Sequence, residues 1–257
     1  MNLYVYLQGG LGNQMFQYAA GVSALKEYPQ FSDLKLDTSF YDTQERKVIV
    51  NGLTGRGYDL DLFNITYNQL EEAPEGETML EGWFQNVEEF TNVENLIRDQ
   101  FTFKVDFSDK IEDLRKEILS KPNSVSVHVR RGDFINNPTA YAHNEHMGSE
   151  YYQKAMSIIE KTNNDLTYYV FSEDVEWCKE NIKNDKHEVI FVNNDYAGDR
   201  DSGHLYLMTA CNNHIIANST YSWWGSFLSK SKITVGPKKW FTNQEGSDIM
   251  LDEWIQI

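Results

Sequence analysis

Two adjacent arginines close an apolar run in this chain: Ser124–Val129 continues into Arg130, Arg131, Gly132 and Asp133. A guanidinium is a planar fork of donors that matches the oxygens of a diphosphate, binding and orienting it at two points. Strand alternation would put His128 and Arg130 on one face and Arg131 on the other. The competing use of such residues is an ion pair that closes a turn. Arg131 with Asp133 fits that use well, whereas Arg130 is better placed for a ligand.

Three further clusters could do chemistry. Asn218, Ser219, Thr220, Tyr221 and Ser222 follow the apolar run His214–Ala217. Small hydroxyl and amide side chains opening a helix cap its free N–H groups and also form an anion pocket. A cap needs one such residue, so four polar groups in five positions point to a ligand, while Trp223 and Trp224 read as core. Gly9, Gly10, Leu11, Gly12, Asn13 and Gln14 follow the first apolar run. Glycines admit a ligand close to the backbone, although a tight strand-to-helix turn explains them equally well. A dinucleotide fingerprint needs a small residue at position 15, and Met15 stands there, which argues against a nicotinamide oxidoreductase. Ser172, Glu173 and Asp174 either cap a helix or accept hydrogen bonds from the edge of guanine. The Asp-x-Asp pairs Asp59/Asp61 and Asp199/Asp201 follow no clear strand, and an aspartate-rich chain produces such pairs by chance, so no metal site is expected.

The elements that must hold these clusters alternate. Strands are expected at 2–8, 33–37, 78–82, Ser124–Val129, Thr167–Phe171, Glu188–Val192, His214–Ala217 and Ile233–Val235. Helices are expected from the glycine turn to about Glu27, within 86–99, and at 109–120, 149–163, 174–183, 203–212 and 221–230. Residues 41–77 read as irregular. Strand–helix repetition implies parallel strands with helical crossovers, and such sheets bind ligands at the carboxyl ends of their strands. All four clusters stand at such ends. Two domains are expected, 1–122 and 123–257, divided near Pro122.

Composition removes several functions. With 23 basic against 39 acidic side chains in 257 residues, the formal net charge is −16, which disfavours nucleic-acid and membrane-surface binding. No apolar run of ~18 residues is present to span a membrane, and the start has no signal-peptide pattern. Cys178 and Cys211 cannot build a disulfide scaffold, and no Cys/His pair has zinc spacing, so a reduced, intracellular compartment is expected.

Taken together and in order, Gly9–Ala19, His128–Asp133, Phe171–Asp174 and Asn218–Gly225 resemble glycosyltransferase family 11, the α-1,2-fucosyltransferases that use GDP-fucose. The resemblance runs through nearly the whole chain. It implies an α/β, GT-B-type architecture of two Rossmann-like domains facing across a cleft, the N-terminal one on the acceptor side and the C-terminal one holding the donor. It also implies an inverting, metal-independent galactoside 2-α-L-fucosyltransferase. By motif, Arg130 would contact the donor β-phosphate, and His128 would lie by the nucleotide. Ser219, Thr220 and Ser222, with Asn218 beside them, would line the phosphate and sugar pocket. Glu173 or Asp174, following Ser172, would read guanine. Gly10, Asn13 and Gln14 would close over the donor from the other half. The family's usual pair of aspartates is Glu173-Asp174 here, with a longer arm at the first position. The animal homologues' membrane anchor is missing, which implies a bacterial cytoplasmic form, either soluble or loosely associated with the inner membrane through partners such as lipid-linked acceptors.

The expected reaction moves L-fucose from GDP-fucose to the 2-hydroxyl of a terminal galactose in one displacement. Asp133, nearest the clamp in sequence, is the first choice of base; His143, Glu145 and Glu150 follow it, and Asn13 could relay the proton. The loop 134–148 and the stretch 41–77 are the expected acceptor-facing segments. The alternatives are α-1,6 or α-1,3 linkage, and a silent GDP-sugar or glycan-binding module.

Overall fold

The computed structural model describes residues 1–46, 49–50, 53–132, 147–241 and 249–257. They divide into two compact units, Met1–Val105 and Asp106–Ile257.

In the first unit, β1 (Asn2–Tyr6) leads through the glycine turn into α1 (Leu11–Glu27) and back to β2 (Asp33–Asp37), which pairs parallel with β1. A short antiparallel ribbon, β3 (Ile49–Val50) and β4 (Leu53–Thr54), comes next. Then β5 (Met79–Leu80) adds parallel to the other edge of β1, giving the order β2-β1-β5. α2 (Glu94–Gln100) comes after a 3-10 stretch. α1 is buried over most of its length, so it is a central element rather than an amphipathic cover. Its approach to β1 depends on Gly21, where a Cβ would fall 2.5 Å from Val5 Cγ2 and 3.2 Å from Leu34 Cδ1.

The second unit begins with α3 (Asp109–Ser120) and β6 (Ser124–Val129). It continues with α4 (Ser149–Glu160), β7 (Thr167–Ser172), α5 (Val175–Asn181) and β8 (Glu188–Val192). α6 (Ser202–Met208), β9 (Asn213–Ile215), α7 (Thr220–Leu228), β10 (Ile233–Gly236) and β11 (Ile255–Gln256) complete it. The sheet runs β11-β10-β9-β6-β7-β8 with parallel pairing throughout. That is the doubly wound order in which the chain builds outward from β6 through β7 and β8, then returns to the other side of β6 with β9. Both faces are covered, as parallel sheets require. Val125, Val127, Val129, Tyr168 and Val170 pack with α4 residues Tyr152, Met156 and Ile159. Tyr169, Phe171 and Val192 pack with Ile111, Leu114 and Ile118 of α3 and Leu207 and Met208 of α6.

The α/β class with parallel sheets is therefore the observed one, but one expectation needs correction. The division lies between Val105 and Asp106, not near Pro122. The stripe Ile111, Leu114, Ile118 is buried on the second sheet, and the Arg115 guanidinium sits 3.8 Å over the Tyr206 ring, so α3 belongs to the second unit. The edge strand β11 was not foreseen; two residues carry no periodicity. Trp223 and Trp224 are fully buried, as expected, and both cysteines are buried free thiols.

Gly21→Ala should lower stability by about 1–3 kcal/mol through overpacking, although alanine is the better helix former. Urea unfolding checks this, and an unchanged midpoint would show slack between α1 and β1.

Candidate functional site

The second unit has its switch point between β6 and β9, where the carboxyl ends of neighbouring strands lead to elements on opposite faces, the usual ligand crevice of such sheets. Three of the four clusters meet around it. Arg130 leaves β6 and its Nη1 donates to Glu173 Oε1 at 2.6 Å; Arg131 N donates to the same oxygen at 3.3 Å. Arg131 Nε donates to Asp174 Oδ2 at 3.0 Å, with its guanidinium 4.1 Å over the Trp177 ring. The two arginines thus diverge as alternation requires, each meeting a carboxylate from the end of β7. A Cβ on Gly132 would fall 2.5 Å from Glu173 Oε1, so the turn after the arginines is pressed against that carboxylate.

The Ser172–Asp174 segment is locally tied. Ser172 Oγ accepts from Asp174 N at 3.0 Å, and Asp174 Oδ1 accepts from Trp177 N at 3.2 Å, capping α5. Both Asp174 oxygens are therefore engaged within the protein. The cap reading is what the geometry shows for Asp174, and Glu173 holds Arg130.

His128, buried on β6, lies 5.9 Å ring to ring from Tyr221 of α7. Its Nδ1 is buried with no hydrogen-bond partner among the described residues. Burial, then the Arg130 charge and His204, push its pKa down to about 3, so it is a neutral group at physiological pH. His204 is held by Asn193 O at 3.0 Å, and its pKa is lowered mainly by burial. Tyr221 Oη donates to Asp201 O, which ties α7 to the turn where Arg200 and Asp201 both have positive φ. Tyr221 and His204 were missed as site residues. A buried histidine on an apolar helix is the only signal the sequence offers for the second.

Ser219 is the N-cap of α7 in extended geometry and makes no side-chain cap bond. Ser219 and Thr220 are half-buried at the rim. Ser222 Oγ donates to Ser219 O at 3.2 Å, and Asn218 Nδ2 donates to Trp240 O at 3.0 Å. Those two polar side chains turn inward and shape the loop.

In the first unit, Gly9 has φ +78°, and a Cβ there would fall 2.6 Å from Asn13 Nδ2, so Gly9 rather than Gly10 requires glycine. Gly10 is the N-cap of α1. Gln14 is fully buried: Nε2 donates to Gly9 O (3.3 Å) and Gly57 O (2.9 Å), and Oε1 accepts from Asp59 N (2.8 Å). It staples the 57–59 segment to α1. Asp59 pairs with Arg46 at 2.7 Å, consistent with a structural aspartate. Asn13 is half-buried and Oδ1 accepts from Gln85 Nε2 at 3.0 Å. Asp133, His143, Glu145 and nearly all of the loop 134–148 lie outside the described residues.

A doubly wound parallel sheet with paired arginines at its switch point, joined in one chain to a second parallel-sheet unit, is an α/β architecture of GT-B type. The family model "Glycosyl transferase family 11" matches residues 56–257. The chain belongs to that family. The O-antigen biosynthesis glycosyltransferase WbnK of Escherichia coli is 30% identical over 310 residues, spanning 99% of this chain and 100% of that one. An alpha-1,2-colitosyltransferase of E. coli is 28% identical over 287 residues, spanning 98% and 97%. Among solved structures, the Bradyrhizobium fucosyltransferase NodZ, an α-1,6-fucosyltransferase co-crystallised with GDP, superposes with a TM-score of 0.51 at 12% identity, over 89% of this chain and 92% of that one. That likeness is one of fold.

His128 and His214, both pushed down to about 3 from the ordinary 6.5, give a pH prediction. Both stay neutral in the folded chain but bind protons once unfolded below pH 6.5. Their contribution is complete above that value and is lost as pH falls from 6.5 towards 3. Stability should drop by about 1.4 kcal/mol per pH unit for each histidine between pH 6 and 5. Urea midpoints at pH 7, 6 and 5 check it, with a shallower fall in His128→Gln; a flat profile would contradict neutral burial.

Proposed function

We propose that this chain transfers L-fucose from GDP-fucose to the 2-hydroxyl of a terminal galactose in an oligosaccharide, with inversion and without a bound metal. The observation that carries the reading is the placement of Arg130 and the start of α7 on the two sides of one switch point. A diphosphate there would meet a guanidinium from one strand end and the positive end of a helix dipole from the other. Membership of family 11 and the α-1,2 linkage in a full-length relative's name support the linkage. The galactose acceptor rests on the resemblance to α-1,2-fucosyltransferases.

In this mechanism the galactose O2 forms a bond to the fucose anomeric carbon as the bond from that carbon to the β-phosphate oxygen breaks. GDP leaves with the electron pair, and the hydroxyl proton passes to a base. Negative charge grows on the β-phosphate, so a cation fixed before the reaction lowers the barrier without reorganising. Glu173 is the positioning residue: its Oε1 accepts from Arg130 Nη1 at the rim. His128, neutral and with an Nδ1 that has no partner among the described residues, is suited to hydrogen-bond the nucleotide without adding charge. Asp133 is proposed as the base, with Asn13 as an alternative relay. The domain roles, donor on the second unit and acceptor on the first, belong to this proposal. So does inner-membrane association through a lipid-linked acceptor; no helix among the described residues is long and apolar enough to cross a membrane.

The E. coli colitosyltransferase favours a second reading, in which the transferred sugar is colitose. Product formation from GDP-fucose against GDP-colitose decides between them, and NMR of the product gives the linkage.

Arg130→Ala should lower kcat on the order of 100-fold or more in an assay of galactoside-dependent GDP release from GDP-fucose, and EDTA should leave the wild-type rate unchanged. Near wild-type turnover in the variant would remove Arg130 from the mechanism; loss of activity in EDTA would remove metal independence.

A further inference from the structure

In the first unit, β1 carries β2 on one edge and β5 on the other. The segments that follow the carboxyl ends of β1 and β5, Gly9–Asn13 and Gly82–Gln85, touch. Trp83 Cζ3 lies 3.1 Å from the place a Cβ on Gly9 would occupy, and Gln85 Nε2 donates to Asn13 Oδ1 at 3.0 Å.

Trp83 is 49% exposed, whereas Trp223, Trp224, Trp240 and Trp254 are all buried. Its loop is not slack. Gly82 O accepts from Nε2 of the fully buried Gln17 at 3.1 Å, and Gln17 Oε1 in turn accepts from Gln8 N at 3.0 Å. Phe84 is held at φ +48°, an uncommon backbone state for a bulky residue. Strain of that kind persists only where the surroundings over-determine it. The indole is therefore presented by a braced turn, packed against Gly9 and beside the hydrogen-bonded amides of Asn13 and Gln85.

We propose that Trp83 is the platform on which a hexopyranose of the acceptor stacks, with Asn13 and Gln85 at its hydroxyl edge. The proposal rests on the galactoside reading above and names where that sugar is recognised. A galactopyranose suits the arrangement because its axial 4-hydroxyl leaves the C3, C4 and C5 hydrogens together on one apolar face. That face can lie on an indole while the remaining hydroxyls meet side-chain amides, the usual composition of a small-molecule site. A nucleobase also stacks on indole, so the kinetic test separates acceptor from donor.

Steady-state kinetics with GDP-fucose and N-acetyllactosamine, varied in turn, should show the acceptor KM of Trp83→Ala raised about tenfold or more. Trp83→Phe, which keeps an aromatic face, should restore much of it, and the KM for GDP-fucose should stay within about twofold in both. An unchanged acceptor KM in Trp83→Ala would overturn the proposal. So would a rise in the donor KM that equals or exceeds the acceptor change, which would assign the indole to the nucleotide or to folding. If the wild-type chain transfers to no galactoside, the galactoside reading fails on its own, and tryptophan fluorescence then tests the platform. A lactose- or N-acetyllactosamine-dependent change present in wild type and lost in Trp83→Phe would sustain a saccharide site, and its absence from wild type would overturn it.

Discussion

Two cations at the end of a fully buried strand set the terms for the second unit. β6 is buried along its whole length and covered on both faces, so arginines emerging from it must find opposite charge within reach or give up much of their hydration. The end of the adjacent strand supplies it. Glu173 takes Arg130 and the backbone of Arg131, while Asp174 takes the Arg131 side chain and caps α5. The parallel register of β6 with β7, His128 opposite Phe171 and Val129 opposite Ser172, brings these groups together. A slip of one residue would exchange the faces of every side chain on the strand.

This pairing divides labour between the arginines. Arg131 is clamped on two sides, by a helix-capping carboxylate and by the Trp177 ring, and reads as part of the frame. Arg130 rests on a carboxylate that is itself a third exposed, next to a buried neutral histidine and the dipole of α7. A dianionic diphosphate binding there would compete with the Glu173 carboxylate for the Arg130 guanidinium. In a chain of net charge −16, anion binding depends on such local concentration of positive potential rather than on the overall field.

Much of this was legible in the sequence, for identifiable reasons. The boundaries of β2, α3, β6 and β8 agree with the expected ones because their apolar periodicity ends at charged or turn-forming residues. The clusters at the ends of β1, β6, β7 and β9 stand where parallel topology puts them. What the sequence could not supply is the direction a polar side chain takes. Gln14, Ser172, Asn218 and Ser222 look like ligand-facing groups by type, yet each satisfies a buried backbone group of its own unit, an obligation that appears only when distant segments meet. Trp83 is the converse case: one tryptophan after a two-residue strand carries no pattern, and only the packing of its loop against Gly9 and Asn13 singles it out. The domain boundary was misplaced because α3 precedes the first long strand of the sheet to which its apolar stripe commits it.

The most direct test of the Arg130 clamp is a crystal structure of the chain with GDP bound. The diphosphate should lie between the Arg130 guanidinium and the first turn of α7 at Ser219–Ser222, with the Arg131–Asp174 pair intact. A diphosphate bound instead at the Gly9–Asn13 turn of the first unit would contradict that clamp.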